Sequence, residues 1–461
     1  MMTSDRKSNM LWFHNFPKSD KLVSIMDNTH TLNQSARKFF SGTFLSRCTG
    51  FLRDVITAAT FGVSPAIAAF MLAFRLSHLA RRIFGEGALQ TAFIPQFEEI
   101  RQKHSRKGMQ FFCNLALNII ALLILLIVMV VGGLALLHTY VSPETQQVVK
   151  LTMVMMPSLL FICLYGLNTA LLQCERHYFI SSLAPLFFNI IWIAAVLGSS
   201  SVTTLAIAIN IACFAQWCAT IPQTYKILAP HLPKLHFKIN PRSIVSFYAP
   251  FALSLVGVIA TQINSAVDPL FARYADLEGP ALLWYAIRIQ QLPLALFGIA
   301  ISSAVMPPLS RAVQQNNLQQ YRHLLTHSLK RNLLWALPAT LILLFLGTPI
   351  IRLVYERGDF GDLAVAKTTL CLWGYALGLL PSACVLVMAP AFYAKKNYTV
   401  PMKASLISMG SNLILNSLFI VGFRWGPASV ALSTSLCAYL NVGILLFYYQ
   451  KQDMQEHKAA G

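Results

Sequence analysis

From 110 to 138 the chain runs for 29 positions without one Asp, Glu, Lys or Arg. At a rise of 1.5 Å per residue such a helix reaches about 43 Å, more than the roughly 30 Å hydrocarbon core of a bilayer. Stretches of this character recur. Twelve candidate spans fall at about 38–60, 64–92, 110–138, 151–173, 179–198, 202–225, 245–272, 281–309, 326–349, 364–393, 400–422 and 428–449. Lipid offers the backbone no hydrogen bonds, so runs of this length must bond internally as helices. The chain is 56% apolar and 11% charged, where a soluble domain carries about 25% charged residues. The expected fold class is therefore an all-α polytopic membrane protein with about twelve transmembrane helices.

The net charge of +19 would also suit a nucleic-acid binder. Its distribution says otherwise. With twelve spans, 24 basic residues fall in the tails and loops of one side and 6 on the other. That asymmetry is the positive-inside pattern, and it places both termini in the cytoplasm of a bacterial-type inner membrane. No nucleic acid is expected as a partner. The nine cysteines stand singly in apolar stretches without metal-ligand spacing, so no metal is expected. Residues 1–35 are polar and read as a disordered cytosolic tail without a cleavable signal, with Met26 as an alternative start.

The longest polar break lies near 226–243. It divides the chain into an N-terminal six-helix lobe (36–228), a cytosolic linker (229–243), a C-terminal six-helix lobe (244–450) and a cytosolic tail (451–461). A shift of 213 positions supports the division. It lays Ala73, Arg75, Leu79, Phe84, Gly85 and Pro95 on Ala286, Arg288, Leu292, Phe297, Gly298 and Pro308. Both copies run the same way across the membrane. The lobes are then related by a pseudo-twofold axis along the membrane normal, with a substrate site between them near the midplane.

Ionisable groups at membrane depth are costly, which makes them functional candidates. Arg47, Arg53 and Asp54 fall on the first span, Arg75, Arg81, Arg82 and Glu86 on the second, Asp268 on the seventh and Arg288 on the eighth. Six cations against three carboxylates cannot all be paired. Arg47 and Asp54, seven apart, share a helix face, and Gly50 leaves room for a close neighbour. Within one unbroken helix, Arg75, His78, Arg82 and Glu86 also share a face. Arg53, Arg75 and Arg288 lie too deep to reach an interface, whereas Arg81 and Arg82 can snorkel to the cytoplasmic side. The surplus points to a wet, anion-attracting cavity. A guanidinium fork suits phosphate, to which it donates two parallel hydrogen bonds. His78 alone reads as a packed polar residue. Pro157, Pro185, Pro293 and Pro381 mark breaks or kinks. There is no P-loop, GxSxG or HExxH motif, so no ATP-driven pump or hydrolase is expected, and the chain reads as a transporter rather than an enzyme.

The segment Ser46-Arg47-Cys48-Thr49-Gly50-Phe51-Leu52-Arg53-Asp54 resembles the MurJ (MviN) lipid II flippase family of the MOP exporter superfamily. So do Ala73-Phe74-Arg75-Leu76, Arg81 to Ala88, Ala92 to Pro95, Trp284 to Arg288, Pro307 to Arg311, Tyr355-Glu356-Arg357-Gly358-Asp359-Phe360 and Ala389 to Ala394. The resemblance implies a flippase that moves undecaprenyl-diphosphate-linked disaccharide pentapeptide to the outer leaflet for peptidoglycan synthesis. Arg47, Arg53, Arg81 and Arg288 match the family's cavity arginines and Glu86 its cavity carboxylate, so the resemblance turns Arg81 towards the cavity. Expected partners are lipid II, membrane lipids and proteins of cell-wall synthesis. The expected energy source is the membrane potential or a coupled Na⁺ or H⁺, with Asp54 and Asp268 as the coupling candidates, and no cofactor otherwise. Two departures stand out. Ala68 replaces an Asp common in the family, and the chain ends after twelve spans where relatives usually have fourteen. Two rival functions remain: a drug or cation antiporter of the same superfamily, which calls for carboxylates rather than arginines in the cavity, and a non-transporting cell-wall scaffold.

Overall fold

The computed structural model describes residues 42–79, 88–175, 177–230, 262, 266–295 and 299–460. These residues are helical almost throughout and include no strand. The N-terminal half holds α1 (residues 42–61), α2 (Pro65–Ser77), α3 (Ala88–Lys103), α4 (Ser105–His138), α5 (Pro143–Met155), α6 (Ser158–Cys174), α7 (Tyr178–Leu183), α8 (Pro185–Gly198), α9 (Val202–Cys218) and α10 (Ile221–Leu228). The C-terminal half holds α11 (residues 266–275), α12 (Gly279–Pro293), α13 (Ile299–Gln314), α14 (Leu318–Phe345), α15 (Gly347–Tyr355), α16 (Asp362–Leu377), α17 (Leu379–Ala394), α18 (Thr399–Asn416) and α19 (Ala428–Ala460). The expected tail at 1–35 and the linker from 231 onward lie outside the described residues.

Among the described residues, seven helical stretches are long and apolar enough to cross a membrane. They are Ser105–His138, Tyr178–Gly198, Val202–Leu228, Leu318–Phe345, Asp362–Ala394, Thr399–Gly422 and Ala428–Gln452. Helices α5 and α6 form an eighth if the pair counts as one span, bent by 45°. Pro157 stands at that bend, where its missing N–H breaks the ladder. Pro185 opens α8 and Pro293 closes α12. Pro381 sits in the first turn of α17, where a missing N–H costs nothing.

Helix α2 starts behind a Ser64 cap and Pro65, and it ends at Ser77. Ser77 Oγ donates to the Phe74 carbonyl at 3.1 Å, and His78 Nδ1 lies 3.0 Å from the same oxygen. Residues 80–87 of the expected second span, 64–92, lie outside the described residues, and with them Arg82 and Glu86 of the expected shared face. His78 packs on Phe74 with ring centres 4.2 Å apart, as a packed polar residue does.

The N-terminal half is centred on Trp192, which is 1% exposed. Phe70 and Phe74 of α2 meet its ring edge-on at 5.4 and 5.2 Å. Each such pair adds about 0.5–1.5 kcal/mol beyond simple burial. In the C-terminal half α16 crosses α19 closely, with Gly374 and Gly378 against Ala431 and Ser435. Spacing of small residues by four is how helices approach in lipid, where no hydrophobic effect drives them together. Contacts between the halves are concentrated at α2 and α12, the helices that carry Arg75 and Arg288.

Candidate functional site

Helix α1 runs from residue 42 towards the turn at Gly62. Asp54 is eight residues short of that turn, about 12 Å along the axis. Arg288 lies nine residues into α12 and Arg75 ten into α2, at about 14 and 15 Å by the same rise. All three are thus near the middle of a bilayer about 30 Å thick.

At this level one carboxylate serves two cations. Asp54 Oδ1 accepts from Arg53 Nη2 at 2.8 Å and Nε at 3.1 Å. Its other oxygen faces Arg288 Nε at 3.0 Å. Arg53 and Asp54 belong to α1, and Arg288 belongs to the C-terminal half. The carboxylate is 4% exposed and the Arg288 side chain 35%, so one side of this trio is buried and the other is open.

Arg53 is held on every side. Its Nη1 donates to Asn189 Oδ1 at 3.1 Å, and its guanidinium lies 4.5 Å from the Trp192 ring centre. Asn189 also donates to the Ser46 carbonyl at 3.0 Å and to Thr49 Oγ1 at 3.1 Å. The Trp192 indole N–H donates to Thr57 Oγ1 at 3.1 Å. Helix α8 therefore fixes the angle of α1 and the rotamer of Arg53 together. Gly50 faces Asn189 in this contact.

Trp284 of α12 takes cations from both halves. Arg288 lies 4.7 Å and Arg75 5.7 Å from its ring centre, and Phe74 meets it edge-on at 6.0 Å. Arg75 and Arg288, the pair related by the 213-residue shift, thus converge on one indole. Arg47 is exposed and makes no ion pair among the described residues. It shares a helix face with Asp54, so that face is sealed at Asp54 and open two turns further from Gly62. Arg81, Arg82 and Glu86 lie outside the described residues.

Asp268 stands apart from the arginine trio. Asn416 Nδ2 and Thr434 Oγ1 donate to its two oxygens at 2.9 and 3.1 Å, and Arg75 is within electrostatic range. Asn412 accepts from Asn416 at 2.9 Å. Two buried amide atoms here, Asn416 Oδ1 and Asn412 Nδ2, have no hydrogen-bond partner.

Asn189, Trp192, Trp284, Asn412, Asn416 and Thr434 were not candidates from sequence. They are neutral residues inside apolar stretches, and only the charged groups they surround, the arginines or Asp268, mark them out. Two further links join the halves near Gly62. Tyr285 donates its hydroxyl to the Gly62 carbonyl at 3.3 Å, and Arg273 Nη2 donates to the Glu144 carbonyl at 2.9 Å.

A family model described as "Lipid II flippase MurJ" matches residues 57–460. A probable lipid II flippase MurJ of Chlamydia muridarum is 32% identical over 440 residues, covering 94% of this chain and 81% of the relative. One from Vibrio cholerae is 26% identical over 423 residues, covering 87% and 80%. A solved structure of a lipid II flippase MurJ in an inward closed conformation superposes with a TM-score of 0.78 at 29% identity, over 89% of this chain and 87% of that one. An inward-facing multidrug-resistance MATE transporter of the MOP superfamily gives 0.72 at 13% identity, over 91% and 96%, which speaks to fold alone. With the family model spanning most of its length and a 32% identical relative covered to 81%, the chain belongs to the MurJ lipid II flippase family.

Proposed function

We propose that this protein flips lipid II from the inner to the outer leaflet of a bacterial cytoplasmic membrane by alternating access between two six-helix lobes. The lobes are related by an axis along the membrane normal. Both termini are cytoplasmic, so the Gly62 end is the outer end. The observation that carries the proposal is the buried Asp54 carboxylate shared by Arg53 of one half and Arg288 of the other.

Two cations on one anion leave a net positive charge near mid-membrane, with one face open. A diphosphate brings oxygens that accept from guanidinium forks as a carboxylate does, and it carries more charge. Its arrival at Arg288 competes with Asp54 for the same Nε. Substrate entry thereby loosens the bond that ties the halves at this depth. Trp284 keeps Arg75 and Arg288 on one ring, so both can turn to the same phosphate group. Arg47, on the open part of the α1 face, draws the anion inward, with Arg81, Arg82 and Glu86 assigned to the same cavity. The prenyl tail stays in lipid and no covalent bond is made or broken.

The links near Gly62 fit a state closed at the outer end, in keeping with the inward closed conformation of the matched MurJ structure. For energy coupling, Asp268, Asn412, Asn416 and Thr434 form an all-oxygen-and-amide nest. A carboxylate with an unbonded amide oxygen beside it fits a monovalent cation such as Na⁺ better than a thiolate-seeking metal. Such an ion would supply charge compensation in the C-terminal lobe. Moving charge down the potential is worth about 2.3 kcal/mol per elementary charge per 100 mV. The proposal is tested by rescue of cells depleted of their own lipid II flippase. Growth restored by the wild-type chain and not by an Arg288→Ala variant supports it. Failure of the wild-type chain to rescue counts against it.

A further inference from the structure

One segment is not used by the arginine site: Tyr355-Glu356-Arg357-Gly358-Asp359-Phe360, which joins α15 to α16 in the C-terminal half. The chain turns here over the end of α1 in the N-terminal half. Asp359 N–H donates to the Ala59 carbonyl at 2.9 Å. That carbonyl belongs to the last turn of α1, where the helix has no donor left for it.

Both sides of this contact carry a glycine with φ +56°, Gly62 and Gly358. A Cβ on Gly62 would collide with the Asp359 carbonyl oxygen, and one on Gly358 with the Ala59 carbonyl oxygen. Each glycine therefore makes room for the other half's backbone. The left-handed conformation that allows it is one other residues adopt at a cost. Behind the contact, Tyr285, Tyr355 and Phe360 close as a buried aromatic layer with ring centres 5.1, 5.5 and 5.6 Å apart. All three belong to the C-terminal half. They reach the other half through backbone, by the Tyr285 hydroxyl on the Gly62 carbonyl.

The parting plane is thus defined. It runs between residues 59–62 and the 356–361 turn, and opening it leaves the aromatic layer whole. It frees the Asp359 N–H, the Tyr285 hydroxyl and two carbonyls, which water can take up at small net cost. We propose that the 356–361 turn is a latch on the end of α1 that holds the outer end shut while substrate enters from the cytoplasmic side, and that Gly62 and Gly358 are its positioning residues. The proposal rests on the flippase assignment.

The test is an Ala59→Cys/Asp359→Cys pair, whose backbones are hydrogen-bonded at 2.9 Å. The protein is reconstituted with lipid II in vesicles. Oxidation is expected to crosslink the pair and cut flipping at least tenfold, and reductant is expected to restore it. An oxidised pair that flips at the reduced rate, or a pair that does not crosslink, overturns the latch. Wild-type protein that fails to flip in the same vesicles would instead count against the flippase assignment. The latch is then decided by labelling alone. Gly358→Ala is expected to speed the reaction of a Thr60→Cys thiol with a membrane-impermeant maleimide at least fivefold. An unchanged labelling rate overturns the proposal.

Discussion

Arg288 Nε stands 3.0 Å from Asp54 Oδ2, and this ion pair joins the two halves of the chain at about the middle of the membrane. Removing the carboxylate leaves the Arg53 and Arg288 guanidiniums without the anion they share. Breaking a fully buried pair costs about 3–5 kcal/mol. Arg288 is about one-third exposed, so the cost at Asp54→Ala is discounted to about 1–3 kcal/mol. The variant is expected to insert into the membrane, unfold at lower temperature in detergent, and lose flipping at least tenfold. Flipping at the wild-type rate would show that the shared carboxylate is dispensable.

Arg288→Lys keeps the charge but lacks the Nε that meets Asp54 and the guanidinium that lies 4.7 Å from the Trp284 ring centre. Lys is a point charge on a flexible stem and does not replace a bidentate fork. Flipping by this variant is expected to fall about tenfold, in the same leaflet-accessibility assay, with little change in thermal stability.

Asn189→Ala removes the amide that bonds Arg53, Ser46 and Thr49 at once. A lost hydrogen bond to a charged group costs about 1.5–3 kcal/mol. Trp192→Phe keeps the apolar volume but drops the N–H on Thr57 and weakens the cation–π contact, for about 1–2 kcal/mol. Both are expected to lower the midpoint of thermal unfolding in detergent, Asn189→Ala by more. The reverse order would mean that packing rather than hydrogen bonding holds α1 on α8.

These residues mark the limit of what was legible in the sequence. Arg53, Asp54 and Arg288 stand out because a charge at membrane depth is rare, and the 213-residue shift already pairs Arg75 with Arg288. Asn189 and Trp192 leave no such mark, because an amide and an indole are ordinary in an apolar helix. The partners of Asp268 lie 148 and 166 positions away, beyond any local pattern.

The Asp268 nest predicts a cation effect. If a monovalent ion binds there, stability rises with RT ln(1 + [ion]/Kd), about 2.7 kcal/mol at a hundredfold excess over Kd. Thermal unfolding in NaCl is expected to occur at a higher temperature than in choline chloride of equal ionic strength, and Asp268→Ala is expected to abolish the difference. Equal midpoints for the wild-type protein in the two salts would remove Asp268 from the coupling scheme.

Arg101 of α3 bonds Glu175 and Glu98. Burial alone would lower its pKa, but the two carboxylates outweigh that and raise it. The cluster is partly exposed and makes no ion pair with Arg53, Asp54 or Arg288 among the described residues. Arg101→Ala is expected to change stability by less than about 1 kcal/mol and to leave flipping within twofold of wild type. A large transport defect would mean that this clamp takes part in the cycle.

The most direct test of the central claim is flipping of lipid II by purified protein in vesicles, read by leaflet accessibility, for the wild type beside Arg53→Ala and Arg288→Ala. The expected result is rapid flipping by the wild type and loss of at least tenfold in each variant, with all three proteins folded and inserted. Wild-type rates from both variants would contradict the assignment of the diphosphate to these guanidiniums.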